Sequence, residues 1–580
     1  MENSTPTMII DGRSYPIRDE KNVLQLCRNN GIDIPSLCYH PSLSVFGACR
    51  MCLVECDGMG IVSSCTLAPK EGMVVKTNTE TIRSMRKTTL QLLLADHDVD
   101  CTSCPKSGKC RLQELARRYG VDDVPLKKLR FKGNVDKSSP ALMRDASKCV
   151  LCGNCVRACS EFQGISVLGF AKRGYDSVVQ PAFGLPIGNV DCVNCGQCAA
   201  VCPTGAITSH SYNDEIMAAI HDPGTFVVAQ IAPAVRVGIG EEFGLKPGTP
   251  AMGKMVAAMH RLGFDMVCDT AFAADFTTIE EGTEILGRVT KGENLPVFTS
   301  CCPAWVKYAE MYQQDMLGHL SSCKSPQEMG AALLRRMLPE KIGKENKDIF
   351  VVSVMPCTAK KFEVAREEFS QDGIRDINIS MTTSELADLI RELGVDFNSL
   401  PDEACDDPFG LETGSGVIYG ATGGVTEAVV RFAAEKLTGK KSENLDFKVL
   451  RGSEGIREAE IEVAGIKLCL CQVFGLANVK KVCEDIRTGK KQYHVVEVMA
   501  CPGGCVNGGG QPFTLQPDKV IPMRTSGIYG HDSDLKVRNA TDNKPVAEIY
   551  EKYLENTPNG HEAHRLLHTH YHARPAFVKD

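Results

Sequence analysis

Short apolar runs alternate with amphipathic stretches from about residue 211 onward. The apolar runs are strand-like, and the stretches between them have helical periodicity. The clearest examples are the strand-like runs TFVVAQIA (225–232), DIFVVSVMP (348–356) and HVVEVMA (494–500) and the helical stretches Gly253–Leu262 and Ser384–Leu393. Such alternation predicts an α/β fold with largely parallel sheets covered by helices. Ligands of these folds bind in the loops that follow the strands.

The first 210 residues have a different pattern. MIIDGRSYPIR predicts a strand and a turn, Asn22–Asn29 a short helix, and TIRSMRKTTLQLLLADH a longer helix. The sequence therefore predicts a multidomain protein of mixed α+β and α/β class, and 580 residues suggest roughly four domains. We place these domains at residues 1–80, 81–125, 126–210 and 211–580. The tail after about 515 is predicted to carry amphipathic helices, including Pro545–Leu554.

Charge and hydropathy argue against two classes of partner. The formal net charge is −7 and the pI is about 6.1, whereas binding to nucleic acid needs a basic face. No run of about 18 apolar residues predicts a membrane span, and residues 1–20 contain neither an apolar signal region nor twin arginines. The sequence thus predicts a cytosolic protein with no nucleic acid and no membrane as partner.

The 28 cysteines are the strongest chemical signal in the chain. Most lie in groups with two-residue gaps, and in a reducing cytosol such spacings indicate metal ligands rather than disulfides. Zinc would suit any one group alone. The number and variety of the groups favour iron–sulfur clusters.

One cysteine pattern occurs twice between residues 126 and 210. Each copy reads C-x2-C-x2-C-x3-C, the pattern of ferredoxins with two 4Fe–4S clusters, in which the fourth cysteine of each copy binds the other cluster. We therefore assign Cys149, Cys152, Cys155 and Cys202 to one cluster, and Cys192, Cys195, Cys198 and Cys159 to the other. The second copy is followed by Pro203, whereas Ser160 follows the first.

Two further groups of candidate ligands precede this repeat. The first is Cys38, Cys49, Cys52 and Cys65, whose spacing C-x10-C-x2-C-x12-C departs from that of plant-type ferredoxins. The second is His97, Cys101, Cys104 and Cys110. Its three thiolates could also hold zinc, with a structural histidine beside them. Cys27 and Cys56 lie outside both groups and are predicted to be buried thiols.

Three segments of the last domain hold another set of thiols. They are TSCCPAW (299–305), MPCTAKKFE (355–363) and EVMACPGGCVNGGGQP (497–512). The glycines of the third segment permit positive φ and close approach of a bulky group. We interpret it as a cradle for an inorganic cluster; the alternative is a tight turn that happens to contain two cysteines. Together the segments offer Cys302, Cys357, Cys501 and Cys505, a set suited to a cubane.

These three segments resemble the active-site signatures of the iron–iron (FeFe) hydrogenases nearly residue for residue, and the resemblance extends over essentially the whole chain. It implies a catalytic domain of two α/β lobes with a six-iron cofactor, the H-cluster, between them. In that cofactor Cys505 bridges the cubane to a two-iron unit with CO, cyanide and a dithiolate amine. Dedicated maturation proteins insert the two-iron unit.

The resemblance also assigns the N-terminal modules. The first would be a β-grasp 2Fe–2S domain, similar to one in the large iron–sulfur subunit of respiratory complex I. The second would hold a 4Fe–4S cluster with His97 as its nitrogen ligand. With the two ferredoxin-type clusters, the expected cofactors are one 2Fe–2S cluster, three accessory 4Fe–4S clusters and the H-cluster.

The cofactor pocket is the next implication of the resemblance. Lys360 would present its ammonium group to a cyanide, and Met355 and Met499 would form polarizable parts of the pocket wall. The expected lining residues are Pro233, Ser325, Gln327, Met355, Lys360 and Met499. Ala234 stands where the family often has serine, so one hydrogen bond to cyanide is expected to be missing or supplied differently.

Cys301, beside a predicted ligand, is either a spare buried thiol or a proton donor. A thiol has a pKa near 8.5 and can pass protons. By resemblance it starts a relay through Glu281, Ser321 and Glu284 to the surface. The two glutamates are three residues apart and would share a helix face, although on an ordinary helix they would be solvated charges. Glu280 would point elsewhere.

We therefore predict a hydrogenase that interconverts H2 with two protons and two electrons, the electrons passing through the accessory clusters to or from ferredoxin or a similar carrier. One alternative is the hydrogenase subunit of an NAD(P)-linked, electron-bifurcating complex. Its flavin- and nucleotide-binding subunits would be separate chains, because no G-x-G-x-x-G motif follows a predicted strand in this sequence. A non-catalytic H2 sensor or iron–sulfur assembly factor is disfavoured by the presence of Cys301, Lys360, Glu281 and Glu284. The histidines 561, 564, 568, 570 and 572 are interpreted as a solvated, incidental run.

Overall fold

The computed structural model describes residues 5–125, 135–371, 373–441, 445–452 and 454–576. The chain divides into two compact units. Unit 1 comprises Met1–Glu161, Ser166–Val190 and Val201–Thr208, and unit 2 comprises Phe162–Ile165, Asp191–Ala200 and Ser209–Asp580. Among the described residues, no helix is both long enough and apolar enough to cross a membrane.

Unit 1 begins with a five-stranded sheet and one helix. The elements are β1 (Thr7–Ile10), β2 (Arg13–Pro16), α1 (Val23–Asn29), β3 (Leu53–Cys56), β4 (Gly60–Ser63) and β5 (Val74–Lys76). The strand order is β2-β1-β5-β3-β4, with β1 parallel to β5 and the other neighbours antiparallel. Asn22 caps α1 by accepting a hydrogen bond from the Gln25 amide. The predicted strand, turn and short helix are thus confirmed.

The rest of unit 1 contains two longer helices and short strands. They are α2 (Glu80–Ala95), α3 (Arg111–Arg118), β6 (Leu142–Arg144), α4 (Asn154–Arg157), β7 (Leu168–Ala171), β8 (Val178–Pro181) and β9 (Ile207–Ser209). Helix α2 is the longer helix that the sequence predicts. Its buried Arg86 donates hydrogen bonds to the carbonyls of Met51 and Leu53 at 3.0 and 2.6 Å, which fastens the helix to the start of β3.

Unit 2 contains two four-stranded sheets with helices around them. Its helices are α5 (Gln197–Ala200), α6 (Asn213–His221), α7 (Met252–Leu262), α8 (Thr270–Lys291), α9 (Pro303–Tyr312), α10 (Pro326–Ile342), α11 (Ala359–Glu363), α12 (Thr383–Glu392), α13 (Gly414–Val417), α14 (Gly424–Thr438), α15 (Leu476–Arg487), α16 (Pro517–Asp534), α17 (Lys544–Tyr553) and α18 (His561–Leu567). Its strands are β10 (Phe226–Ile231), β11 (Met266–Asp269), β12 (Val297–Phe298), β13 (Ile349–Met355), β14 (Ser370–Gln371), β15 (Ile374–Arg375), β16 (Ile379–Thr382), β17 (Ile456–Val463), β18 (Ile466–Phe474) and β19 (Val495–Met499).

The first sheet has the order β11-β10-β13-β16 and is parallel throughout. The second has the order β12-β19-β18-β17, in which β12, β19 and β18 are parallel. All three strand-like runs predicted for this region are strands, and the helices predicted around residues 253–262, 384–393 and 545–554 are present as α7, α12 and α17. Strands such as β19 are buried on both faces, which explains their continuous apolar sequence.

The antiparallel hairpin of β17 and β18 departs from the largely parallel sheet that the sequence predicts. Strand β17 lies at the edge of its sheet and reads IREAEIEV, with exposed Glu458, Glu460 and Glu462 alternating with less exposed residues. This strict alternation is typical of a half-solvated antiparallel strand rather than of a buried parallel one. The alternation in IREAEIEV could therefore have predicted the antiparallel hairpin from the sequence.

Helix α8 is the central helix of unit 2 and is buried over most of its 22 residues. The Asp269 side chain caps its start by accepting a hydrogen bond from the Ala271 amide, and Gly292 ends it with a φ of +68°. The helix packs against α10, α13 and α14. It carries Glu280, Glu281 and Glu284 into the interior of the unit.

Candidate active site

A cavity lies where four strands of unit 2 end. The loops after β10, β12, β13 and β19 all contribute to its wall, as ligand loops do at the carboxyl ends of parallel strands. The lining includes most of the residues that the sequence singled out: Pro233, Cys301, Cys302, Gln327, Met355, Cys357, Lys360, Met499, Cys501 and Cys505. Tyr419 also lines the cavity, which the sequence did not predict.

The glycine-rich segment after β19 packs its backbone directly against neighbouring loops. Gly503 and Gly504 have φ of +83° and +91°, a region that favours glycine. A Cβ on Gly504 would lie 2.6 Å from the Thr422 nitrogen, and one on Gly508 would lie 2.0 Å from the Pro356 oxygen. Glycine is therefore required here for close approach, as the interpretation of this segment as a cradle supposes.

The four thiols predicted as cubane ligands line this one cavity. Burial raises the pKa of each, and neighbouring thiols add to the effect at Cys357, Cys501 and Cys505: burial and then Cys302 raise the pKa of Cys357 to about 11. For Cys501 the rise comes from burial, then Cys357. A bound metal cation would lower these pKa values again, because thiols lose their protons when they become metal ligands. The donor set therefore fits an iron–sulfur cluster.

Family models match nearly the whole chain. The description "Iron only hydrogenase large subunit, C-terminal domain" matches residues 225–509, and "Iron hydrogenase small subunit" matches 518–574. Further matches are a 2Fe-2S iron-sulfur cluster binding domain (5–80), an NADH-ubiquinone oxidoreductase-G iron-sulfur binding region (86–125) and a 4Fe-4S dicluster domain (148–206).

Similar curated proteins include the NADP-reducing hydrogenase subunit HndD of Solidesulfovibrio fructosivorans, which is 42% identical, with 98% of this chain and 99% of that protein covered. Iron hydrogenase 1 of Clostridium pasteurianum is 35% identical, with 97% and 99% covered. This chain belongs to the FeFe hydrogenase family. A solved FeFe hydrogenase, HydA1 from Chlamydomonas reinhardtii, is 37% identical and covers 63% of this chain and 100% of its own, with a TM-score of 0.57. Protein NAR1 of Arabidopsis thaliana matches at 33% identity over 66% of this chain.

The predicted relay residues of this FeFe hydrogenase lie along α8 and the loop before α10. Glu281 and Ser321 are fully buried, and the Ser321 hydroxyl donates a hydrogen bond to Glu284 at 2.9 Å. Arg288 also donates to Glu284, at 2.6 Å. Burial, then the charge of Glu284, raises the pKa of Glu281 to about 8. Hydrogen bonds with the Ser321 side chain and the Ser300 backbone lower this pKa, but by less than burial raises it.

The polar residues predicted for the cofactor pocket share one hydrogen-bond acceptor. Lys360 Nζ lies 2.6 Å from Glu363 Oε2, and the same oxygen accepts hydrogen bonds from Gln327 Nε2 at 2.6 Å and the Ser325 hydroxyl at 2.9 Å. Lys360 also donates to the Cys301 carbonyl at 3.2 Å. Of the two residues predicted from the SCKSPQ segment, Gln327 lines the cavity, and Ser325 is held by Glu363.

Sequence reasoning missed Glu363 and Tyr419. Glu363 follows Lys360 by three residues on one short helix, so the i,i+3 spacing was a usable signal. Tyr419 had none, because it reaches the cavity from a distant segment; its hydroxyl lies 3.0 Å from the Thr278 hydroxyl. Burial, then the charge of Glu281, raises the pKa of Tyr419, which keeps its phenol neutral.

In unit 1 the first four candidate thiols come together as two pairs. The Cys49 amide donates to the Cys38 sulfur at 3.4 Å. A hydrogen bond with Cys49 lowers the pKa of Cys38 to about 6, and one with Cys65 lowers the pKa of Cys52 to about 7. Cys27 and Cys56 are buried, as predicted.

The next two candidate ligand sets are also found in unit 1. His97 is buried, and burial, with smaller contributions from Cys104 and Cys101, raises the pKa of Cys110. A second cavity is lined by the four thiols assigned to one ferredoxin-type cluster, Cys149, Cys152, Cys155 and Cys202. The other proposed set has Cys159 in unit 1 and Cys192, Cys195 and Cys198 in unit 2, so its ligation stays a prediction.

The interpretation of the histidine-rich tail as incidental is wrong for His568. That residue is buried, with Nδ1 2.8 Å from the Ser322 hydroxyl and Nε2 3.1 Å from Glu280 Oε2. The four other histidines of the run are exposed. Sequence pattern could not separate them, because the partners of His568 lie more than 240 residues away.

Proposed function

We propose that this chain is the hydrogen-converting subunit of an NADP-linked assembly, and that it catalyses the reversible reduction of protons to H2. The observation that carries the hydrogenase function is the cavity itself. Four thiols, a buried lysine and the Cys301 thiol meet at strand ends of an FeFe hydrogenase domain.

Cys302, Cys357, Cys501 and Cys505 would hold the cubane of the H-cluster, with Cys505 as the bridge to the two-iron unit. When bound, this cofactor supplies the redox chemistry that joins protons and electrons as H2. The chain itself contributes orientation, exclusion of water and delivery of protons. Met355 and Met499 supply soft apolar contacts, and Pro233 and Ala234 close the wall without a hydroxyl group.

The proton relay would run from Cys301 through Glu281 and Ser321 to Glu284. Ser321 has a single proton, which it donates to Glu284, so it can only accept a proton from Glu281. Glu281, with a pKa near 8, is a neutral acid at pH 7 and can therefore donate. This direction of the hydrogen bonds suits proton transfer outward, from Glu281 towards Glu284. Proton transfer inward, from Glu284 towards Glu281, requires the Ser321 hydroxyl to turn.

Electrons would travel through the accessory clusters of the first 210 residues. In unit 1 the candidate ligand loops touch one another, because Arg157 donates to the Cys38 carbonyl at 2.8 Å and the Arg111 amide donates to the Pro203 carbonyl at 2.9 Å. The proposed domain limits remain 1–80, 81–125, 126–210 and 211–580.

The NADP-linked role rests on the 42% identity to HndD, which extends over both chains almost completely. The nucleotide would bind to a separate flavin-containing subunit, with ferredoxin as the alternative carrier. Co-purification from the native cell tests this directly. We expect H2-dependent reduction of NADP only when a flavin-containing partner is present, and reduction by the isolated chain would contradict the proposal.

Iron analysis with infrared spectroscopy tests the cofactor assignment. Protein made with the maturation proteins should contain about 20 iron atoms and show bands of bound CO and cyanide. Without those proteins it should contain about 18 iron atoms and lack the bands. Zinc at the His97 site, or iron near half these values, would count against the assigned ligands.

A further inference from the structure

The segment from Leu567 to Tyr571 pairs with the loop that carries Ser321. The Lys324 amide donates to the Leu567 carbonyl at 2.8 Å, and the Thr569 amide donates to the Ser322 carbonyl at 2.7 Å. An antiparallel bridge joins Cys323 to His568 between them. The Tyr571 hydroxyl adds a 2.8 Å hydrogen bond to the Ser321 carbonyl.

His568 joins this loop to helix α8. Its Nε2 lies 3.1 Å from Glu280 Oε2, and its Nδ1 lies 2.8 Å from the Ser322 hydroxyl. Glu280 is fully buried and also accepts hydrogen bonds from the Tyr550 hydroxyl at 2.5 Å and the Asn559 amide at 2.7 Å. A buried carboxylate with three donors is held firmly in place.

The loop so held is the one that positions Glu284. The Ser322 amide donates to Glu284 Oε2 at 3.1 Å, beside the 2.9 Å hydrogen bond from Ser321. An oxygen of Glu284, the Cys323 sulfur and a ring nitrogen of His568 all lie within 4.8 Å of one another. His568 thus fixes, through Ser322, the geometry of the two serines around Glu284.

We infer that His568 is a positioning residue for proton transfer between Ser321 and Glu284. The one ring contacts Glu280 through Nε2 and the Ser322 hydroxyl through Nδ1, so it couples the orientation of that hydroxyl to helix α8. The Ser322 hydroxyl is then directed at His568, while its amide remains on Glu284. Tyr571 supports the same loop from the Ser321 carbonyl. This role rests on the proposed relay.

Paired substitutions of His568 in the full-length, cofactor-loaded protein test the inference. Glutamine places a polar atom near the position of Nε2 and asparagine near that of Nδ1. His568→Gln therefore keeps the contact with Glu280 and loses the one with Ser322, whereas His568→Asn does the reverse. Tyr571→Phe removes the second support, and His570→Gln is the matched control at an exposed histidine.

We expect His568→Gln to lower turnover about tenfold, the effect of one lost hydrogen bond, and to raise the ratio of turnover in H2O to that in D2O. His568→Asn, which keeps the Ser322 contact but loses the one with Glu280, and Tyr571→Phe should each show a smaller loss with the same isotope signature, and His570→Gln should match wild type. Infrared bands and iron content should stay unchanged in all four variants.

Glu284→Gln, measured in parallel, separates the two proposals. If Glu284→Gln turns over as fast as wild type, the relay itself is wrong. If Glu284→Gln is slow but His568→Gln and Tyr571→Phe are fast, only the positioning role is wrong. Loss of the infrared bands in His568→Gln would also overturn that role, because His568 would then be needed for cofactor assembly.

Discussion

Two groups of residues at the cavity differ in how they handle charge. The thiol side comprises Cys301 of the cavity wall and the predicted relay residues Glu281, Ser321 and Glu284, and burial raises the pKa of both Cys301 and Glu281. Burial, then the charge of Glu281, raises the pKa of Cys301 well above its usual value. The lysine side, formed by Lys360, Glu363, Ser325 and Gln327, contains an ion pair whose carboxylate accepts three hydrogen bonds on one oxygen.

The difference shows how one cavity can both move protons and hold a fixed charge. Burial alone would lower the pKa of Lys360, but the Glu363 carboxylate outweighs this effect and leaves that pKa above its usual value. The ammonium group therefore stays charged. Glu281 has no ion-pair partner among the described residues, and burial raises its pKa to about 8 against the hydrogen bonds with Ser321 and Ser300, so its protonation can change near neutral pH. A buried group with an oppositely charged partner keeps its charge, whereas a buried group without one can lose it.

Substitution of the two adjacent cysteines should give the largest contrast. Cys302→Ala removes a proposed iron ligand, so we expect loss of the H-cluster infrared bands and of all turnover. Cys301→Ala should keep the bands and the iron content but lower turnover at least ~10²-fold, the usual contribution of a positioned proton donor. Cys301→Asp should recover part of this loss. Bands lost in Cys301→Ala but kept in Cys302→Ala would show that the two roles are exchanged.

Glu281→Gln should have an effect close to that of Cys301→Ala. The amide keeps the shape of the side chain but cannot exchange a proton, so turnover should fall about 10²-fold with infrared bands retained. H2 evolution measured with a reduced artificial carrier provides the check. Glu280→Gln, one residue earlier, is not a suitable control because Glu280 holds His568. Turnover at the wild-type rate would exclude a relay along α8.

Glu363→Gln tests the lysine side and should have a smaller effect. It removes the charge that opposes burial of Lys360, so we expect shifted cyanide bands and roughly tenfold slower turnover at unchanged iron content. The matched control is Glu385→Gln, because Glu385 pairs with the neighbouring buried Lys361 at 2.8 Å outside the cavity lining. Equal band shifts in both variants would show that the Glu363 pair has no special relation to the cofactor.

The smallest signal is the titration of Glu281 itself. Its pKa is raised from 4.5 to about 8, so the carboxyl group should be protonated below pH 8 and ionised above it. The infrared difference between wild type and Glu281→Gln should therefore contain a carboxylic acid band that fades as the pH rises through about 8. Since the unfolded carboxyl ionises near 4.5, Glu281 lowers stability increasingly between these two pH values. A band already absent at pH 6 would contradict the raised pKa.

How far the sequence could predict this site depended on where the partners lie. Cys357 and Cys501 follow strands whose apolar runs are visible in the sequence, so their meeting at strand ends was predictable from pattern, whereas Cys302 follows the two-residue β12 and joined the set through resemblance alone. Glu363 could have been predicted as the partner of Lys360 from their helical i,i+3 spacing alone. His568 and Tyr419 were beyond reach, because their roles depend on tertiary contacts with segments far along the chain, and neither local pattern nor composition reports such contacts.

The glycine cradle after β19 has an entropic consequence. Five glycines, Gly503, Gly504, Gly508, Gly509 and Gly510, lose more backbone freedom on ordering than other residues would, roughly 3–5 kcal/mol in total relative to alanine. Metal binding supplies free energy that offsets such a cost. On the proposed ligation by Cys501 and Cys505, ordering of residues 501–511 is thermodynamically linked to cluster loading, while β19, buried along its length, needs no such contribution. Amide exchange in the cluster-free protein should be fast in the cradle and slow in the adjoining strand.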